Sequence, residues 1–372
     1  MKKIGHGALI CLLILAFISV LPAQKIKTVN GIEVIVNPKK PKPPKGVPTK
    51  LILSEDFSVG GSDDPDQAFS EVTSFVVDEK GSIYAVDMKE NNIKVFDALG
   101  QYVRTFGEKG QGPGELNMPV NIQITVDKEI MVEDIMNRRL AYFDIEGNFI
   151  RNLSVADRTQ ITQFMFDSQG NSVAREMEVH DGKLLWFVRK YDKDLKSLFE
   201  IDQYEFVNPL EGKINPFDFV TIAIFDGRDN LLYGANREYT IKVYSPEGQH
   251  FRTIEKEFVP EKITAEDKQR MLDAIPDMGA LNLKDRMDFP KNFPPLESFT
   301  VDEEGRLIVR SYRKGKGKDV YYLDIFDQDG RFIATHPYQA SPRIWKSGKM
   351  YSMEENDDGI RIIKRYSVSW EK

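Results

Sequence analysis

The sequence predicts an all-β protein, a six-bladed β-propeller of four-stranded antiparallel blades, and three observations predict it. Strand-like runs recur in groups of four at a period of roughly 40 to 50 residues, the spacing of propeller blades. Turn signals such as "DEKG", "KENN" and "DALG" separate the runs. Six copies can be counted; the sixth is one strand short, while an unpaired strand, "KLILSEDFSV" at residues 50–59, precedes the first. The spare strand and the missing one fit each other, so the N-terminal strand is expected to complete the last blade and close the ring. A four-stranded sheet cannot cover both of its faces alone; radial stacking covers them, which explains the apolar character of the strands.

The elements follow in chain order. "MKK" and the apolar run "ALICLLILAFISV" ahead of "LPAQ" read as a signal peptide over residues 1–23, with Ala23 at the cut. The apolar run is shorter than the roughly 20 residues a spanning helix needs, so no stable membrane span is expected after cleavage. Cys11, the single cysteine, lies within that run. Its removal excludes disulfides, thiol catalysis and cysteine-ligated zinc from the mature chain. Residues 24–49 hold a short strand-like piece, "VNGIEVIVNP", and a basic Pro/Lys-rich stretch, "KKPKPPKGVP", expected as an exposed tether. The propeller then occupies residues 50–372. Its copies run over residues 74–107 and 121–153 and from Thr162, Thr221, Ser298 and Arg343. A formal net charge of −7 argues against a general nucleic-acid binder, which needs a basic surface.

Between blades four and five lies an insertion, residues 259–295. "TAEDKQRMLDAI" within it reads as a short helix, with Thr264 as N-cap, Glu266 and Asp267 in the first turn, and Met271, Leu272 and Ile275 as an apolar stripe. The glycine-rich stretch "FGEKGQGPGELNMP", residues 106–119, superficially suggests a phosphate cradle. It lacks the Lys-Ser/Thr pair and the helix such a cradle requires. Glu115, Leu116 and Pro119 lead instead into another strand, so the glycines serve a tight inter-blade reversal. Glu115 is placed to accept loop amides, and Leu116 to plug between blades.

That stretch, and "GSIYAVDMKENNIKVFDALGQYVRTFG" with Asp87, Asn91, Asn92 and Gly107, closely resemble the signature of NHL-type propellers. Blade two keeps Asp134, Asn137 and Arg138 in "VEDIMNRRLAYFDIEGNFIRNL". The front end "GIEVIVNPKKP" and "FPKNFPPLESFTVDEEGRLIV" look like exported bacterial six-bladed propellers, mostly without assigned function. The resemblance implies the fold across nearly the whole mature chain and implies little about activity, because one fold hosts binding platforms and enzymes alike. In NHL-like blades the loops between second and third strands and the connections between blades share one face.

Six residues past each turn glycine, or its equivalent, stand Asp87, Asp134, Glu176, Asn236, Ser311 and Glu354. Read as function, they form an acidic ring at the mouth of the central channel, with oxygen ligands suited to Ca²⁺ or Mg²⁺. Read as structure, each caps the amides of its own loop. A basic loop in blade five carries Arg310, Arg313, Lys314, Lys316 and Lys318, a cluster that attracts acidic ligands or simply forms a solvated hairpin. After loss of His6 only His180, His250 and His336 remain, spread over the blades, so histidine-ligated zinc is not expected.

Two functional expectations result. The first is an exported, monomeric binding or scaffold module, periplasmic or secreted and without a cofactor, whose loop-rich face meets a cell-envelope protein, peptide or glycan. The alternative is a hydrolase or lyase dependent on a divalent cation held by Asp87, Asp134, Glu176 and Asn236.

Overall fold

Successive side chains of a strand point to opposite faces, and here both faces are buried. Ile83 and Ala85 pack with Tyr351 and Ile363, whereas Tyr84 and Val86 between them pack with Ile130 and Val132. One strand therefore serves two interfaces, and a strand with two dry faces reads as a continuous apolar run rather than an alternating one. The structure, a computed structural model, describes residues 24–205, 212–217, 220–235, 237–275 and 283–372. The expected signal peptide lies outside the described residues.

The architecture is a six-bladed β-propeller of four-stranded antiparallel blades. Blade one comprises Val72–Val77, Ile83–Asp87, Asn92–Phe96 and Tyr102–Phe106. Blade two comprises Pro119–Ile124, Ile130–Asp134, Arg139–Phe143 and Phe149–Ser154, and blade three Gln160–Phe166, Ser172–His180, Lys183–Tyr191 and Ser197–Glu205. Blade four holds Thr221–Phe225, Leu231–Ala235, Thr240–Tyr244 and His250–Lys256; blade five holds Ser298–Val301, Leu307–Lys314, Tyr321–Phe326 and Phe332–Tyr338. Blade six is built from Pro342–Lys346, Lys349–Glu355 and Arg361–Glu371, and its outermost strand is Lys50–Val59. The first strands of successive blades touch in order, and that of blade six touches that of blade one, so they enclose the axis. Each of the six interfaces has its own apolar cluster.

Local chemistry sets the turns. The Asp78 carboxylate accepts from the amides of Lys80 and Ser82, each at 2.8 Å, and Gly81 takes φ 89°, a conformation open to glycine at no steric cost. Asp97, Asp302 and Asp327 repeat the device, each with a glycine three residues on. In the glycine-rich stretch, Glu115 accepts from the Gly112 amide at 2.7 Å, and Leu116 is fully buried between blades one and two.

The chain ahead of Lys50 is laid along the ring. Lys25–Val29 and Ile32–Asn37 form a hairpin whose second strand runs parallel to His250–Lys256, making blade four's sheet six-stranded. Asn37 is fully buried, donating to the Glu255 and Gly330 carbonyls and accepting from the Phe332 amide. The Pro/Lys-rich stretch also finds partners: the Lys42 amide donates to the Phe332 carbonyl and that of Thr49 to the Glu371 carbonyl, each at 2.9 Å. An extended proline-rich segment offers its amides few internal partners; the Val47 amide turns back to the Pro44 carbonyl at 3.3 Å, and those of Lys42 and Thr49 are satisfied by neighbouring blades.

The insertion contributes helix α1 (Ala265–Asp273), between blades four and five in chain order. Thr264 and Asp267 form a reciprocal capping box. Phe217, Ile263 and Phe293 form a small core beneath it, joined by Met271 and Tyr312, with Phe293 and Tyr312 stacked at 4.7 Å. Of the expected stripe only Met271 joins that core; Leu272 and Ile275 are half-buried.

Candidate functional site

The hairpins between second and third strands and the α1 insertion crowd one face of the ring. There the innermost strands of blades six and one and the second strand of blade five converge beneath α1 around a cleft of about 640 Å³. That volume falls within the roughly 300–1,000 Å³ of small-molecule sites. Thr73, Ser74 and Phe75 of blade one form one wall, and Met271 and Ala274 of α1 the opposite rim. Phe293 and Tyr312 reach it from the insertion core.

Four guanidiniums line this cleft: Arg270, Arg310, Arg343 and Arg361. Arg310 is nine-tenths buried, is ion-paired with Glu297, lies 4.3 Å over the Tyr321 ring, and keeps an unpartnered Nε. Arg270, on α1, lies 3.5 Å from Asp319 and 3.2 Å from the Tyr321 hydroxyl. Arg343, second residue of blade six's innermost strand, and Arg361, first of its third strand, make no ion pair or hydrogen bond among the described residues. Both are exposed to solvent in the cleft. The protein walls around the cleft push the Arg343 guanidinium below its ordinary pKa by partial desolvation; Glu297 pulls it back, while Arg310 and Arg361 press it further down. Arginine does not deprotonate in proteins, so Arg343 stays charged.

The carboxylates of the cleft are differently placed. Glu297 is taken by Arg310, and Asp319 faces Arg270. Glu354 accepts from the Tyr366 hydroxyl at 2.8 Å and from Ser352, and lies 3.6 Å from Lys364. Glu355, opposite Arg361 across the hairpin, is exposed and makes no ion pair among the described residues.

The residues singled out in the sequence stand at corresponding places on second strands and do not meet in one cavity. Asp87 is fully buried and accepts from the Ser70 and Glu71 amides at 2.7 and 3.0 Å. Asp134, also fully buried, accepts from the Asn117 amide, Asn137 and Arg139, and borders a separate pocket of about 280 Å³. Glu176 is held by Arg158, Arg189 and the Tyr191 hydroxyl. The Ser311 hydroxyl donates to the Tyr322 carbonyl. Asn236 lies outside the described residues. Glu354 alone of the five that are described lines the large cleft. Among the described residues no group of three or more His, Cys, Asp or Glu side chains is placed to hold a metal ion.

The basic loop divides as well. Arg310 faces the cleft, whereas Arg313 lies over the Tyr322 ring and donates to Thr335. The Lys314 ammonium bonds both carboxylate oxygens of Asp267 at 2.7 Å and fastens α1 to blade five. Lys316 and Lys318 are exposed. Sequence reasoning overlooked Arg343 and Arg361. A charged residue on an innermost strand, as in "SPRIWK", was the available signal for Arg343.

A family model described as "6-bladed beta-propeller" (DUF5128) matches residues 68–363, most of the chain. The chain belongs to this family. Among curated proteins, human E3 ubiquitin-protein ligase NHLRC1 is 33% identical over 67 residues, 18% of this chain and 17% of that protein, in keeping with the NHL-type signature. Solved structures that share the fold include two from Bacteroides. One, from Bacteroides fragilis NCTC 9343 and described as exported, has TM-score 0.53 and 14% identity, covering 91% of this chain and all of that one. The other, a member of the duf4221 family from Bacteroides vulgatus ATCC 8482, has TM-score 0.54 and 12% identity over 87% of this chain and all of that one. Among the described residues no helix is long and apolar enough to cross a membrane.

Proposed function

We propose that this propeller is an exported binding module that meets its ligand through the loop-rich face carrying α1. The observation that carries this reading is the 640 Å³ cleft between α1 and strands of blades five, six and one. It is concave, and it joins an aromatic wall to several cations, the combination that orients a ligand while excluding water. Arg310 and Glu354 supply part of its polar lining. Asp87, Asp134, Glu176 and Ser311 act through the loops and strands they hold. Export is supported by the leader-like residues 1–23 and by the fold neighbour described as exported. In that setting the partner is a cell-envelope protein, peptide or glycan, and the propeller acts as a monomer. No observation favours the metal-dependent alternative, because the carboxylates it needs are apart and occupied by amides, arginines and hydroxyls.

Cross-linking mass spectrometry in an envelope extract tests the reading. Cross-links are expected to gather on α1 and the hairpins beside it, and Ala274→Arg, on the cleft rim, is expected to reduce them at least several-fold. Cross-links confined to the opposite face, that of the Asp-x-x-Gly turns, overturn it.

A further inference from the structure

Deepening that binding reading and resting on it, we infer that the cleft is an oxyanion site, in which Arg343 and Arg361, beside Arg310, hold a carboxylate or phosphate group of a small ligand. Three guanidiniums come from three strands of two blades: the second strand of blade five, the first of blade six and the third of blade six. Like charges brought together in a concave, partly dry site repel one another, and of these three only Arg310 has an ion-pair partner among the described residues, Glu297. Elsewhere the buried lysines have partners: Lys190 pairs with Asp167 at 2.8 Å and Lys256 with Asp324 at 3.2 Å, and Lys94 donates to the Pro65 and Ala68 carbonyls. Within the cleft, Glu297 is spent on Arg310, Glu354 on Tyr366 and Ser352, and Asp319 on Arg270. Glu355 is left at the rim against two free guanidiniums.

The chemistry of the free groups specifies the ligand. A guanidinium presents a planar fork of N–H donors that matches two oxygens of one carboxylate or phosphate. Arg310 cannot swing to such a group freely, since Glu297 and the Tyr321 ring fix it, but its charge and unpartnered Nε favour an anion nearby. Ser341 and Gln339 border the same wall and add neutral donors. Low-dielectric walls concentrate the field of these cations in the cleft, so a protein of net charge −7 still draws an anion to this one place.

Citrate and inorganic pyrophosphate are the probes, titrated calorimetrically into the purified protein at low and at moderate salt. Saturable binding of at least one is expected, weakening as salt rises. It is expected to fall about tenfold in Arg343→Ala and in Arg361→Ala, to vanish in the double variant, and to persist in Arg228→Ala on the opposite face. Which probe binds more tightly separates a carboxylate ligand from a phosphate one. Should an alanine variant melt early, Arg343→Gln and Arg361→Gln keep the volume and remove the charge. Failure of both probes to bind saturably, or undiminished binding in the double variant, overturns the oxyanion site. If only this inference is wrong, cross-links from the envelope partner stay on the α1 face in that double variant.

Discussion

At the scale of single residues, a carboxylate at the end of a second strand organises the loop beside it. Asp87 and Asp134 hold equivalent places in blades one and two, are fully buried, and each accept a backbone amide of the segment that enters their own blade. The sequence made these positions conspicuous, because a charged residue ends an otherwise apolar strand. It did not distinguish a capping carboxylate from a ligand-facing one, since the two differ only in where two oxygen atoms point. Glu133 was still harder to read. It sits in "IMVED", is 1% exposed, and accepts from Asn121, Thr162 and the amides of Gln163 and Phe164, stitching blade two to the entry of blade three. None of those partners is near it in sequence. Asp87→Ala leaves the Ser70 and Glu71 amides without their acceptor, and a buried unsatisfied donor costs about 1–3 kcal/mol. Urea denaturation is expected to show a loss of that size; a midpoint within error of the parent would show that water replaces the carboxylate at no cost.

At the scale of elements, the insertion is the part on which sequence and structure agree in outline and differ in attachment. The helix was legible because Thr264 begins a capping box and a run of good helix formers follows it. Its fastening was not legible, because Lys314 comes from a hairpin 47 residues away. Burial works to raise the Asp267 pKa, but hydrogen bonds from Lys314 and Thr264 outweigh it and hold the carboxyl below its ordinary 3.8. An acid with a lowered folded-state pKa contributes stability that is complete above the unfolded value and lost as pH falls through the folded one. The docking of α1 is therefore expected to be constant from neutral pH to about pH 5 and to loosen below its ordinary 3.8. Lys314→Met should loosen it at neutral pH. The pair is part exposed, so the effect is about 1 kcal/mol or less. Hydrogen exchange over residues 264–274 should quicken several-fold while the global unfolding midpoint barely moves. Unchanged exchange would mean that the Phe217–Ile263–Phe293 core holds the helix unaided.

At the scale of the whole molecule, stability depends on closing the ring, and the closure was legible by counting: six repeats, one strand short, one strand spare. The N-terminal hairpin's docking on blade four was not, because a five-residue and a six-residue strand carry no mark of which edge they will join. These two attachments differ in what they cover. Lys50–Val59 pairs along most of the eleven-residue strand Arg361–Glu371 and buries Leu51 in the cluster between blades five and six. Removing it bares a long edge strand, which favours pairing with other chains, and opens the ring between the ends of its sequence. The hairpin extends an already complete blade, so its loss removes the Asn37 bridge between blades four and five but leaves the apolar clusters between blades in place. A chain starting at residue 50 is accordingly expected to fold and to elute in the same assembly state as the full chain, with a midpoint lowered by no more than several degrees. A chain starting at residue 60 should lose cooperative unfolding and aggregate. Size-exclusion chromatography and thermal melts followed by circular dichroism distinguish the two. A monomeric, cooperatively melting chain from residue 60 would show that the apolar clusters between blades hold the ring without its closing strand.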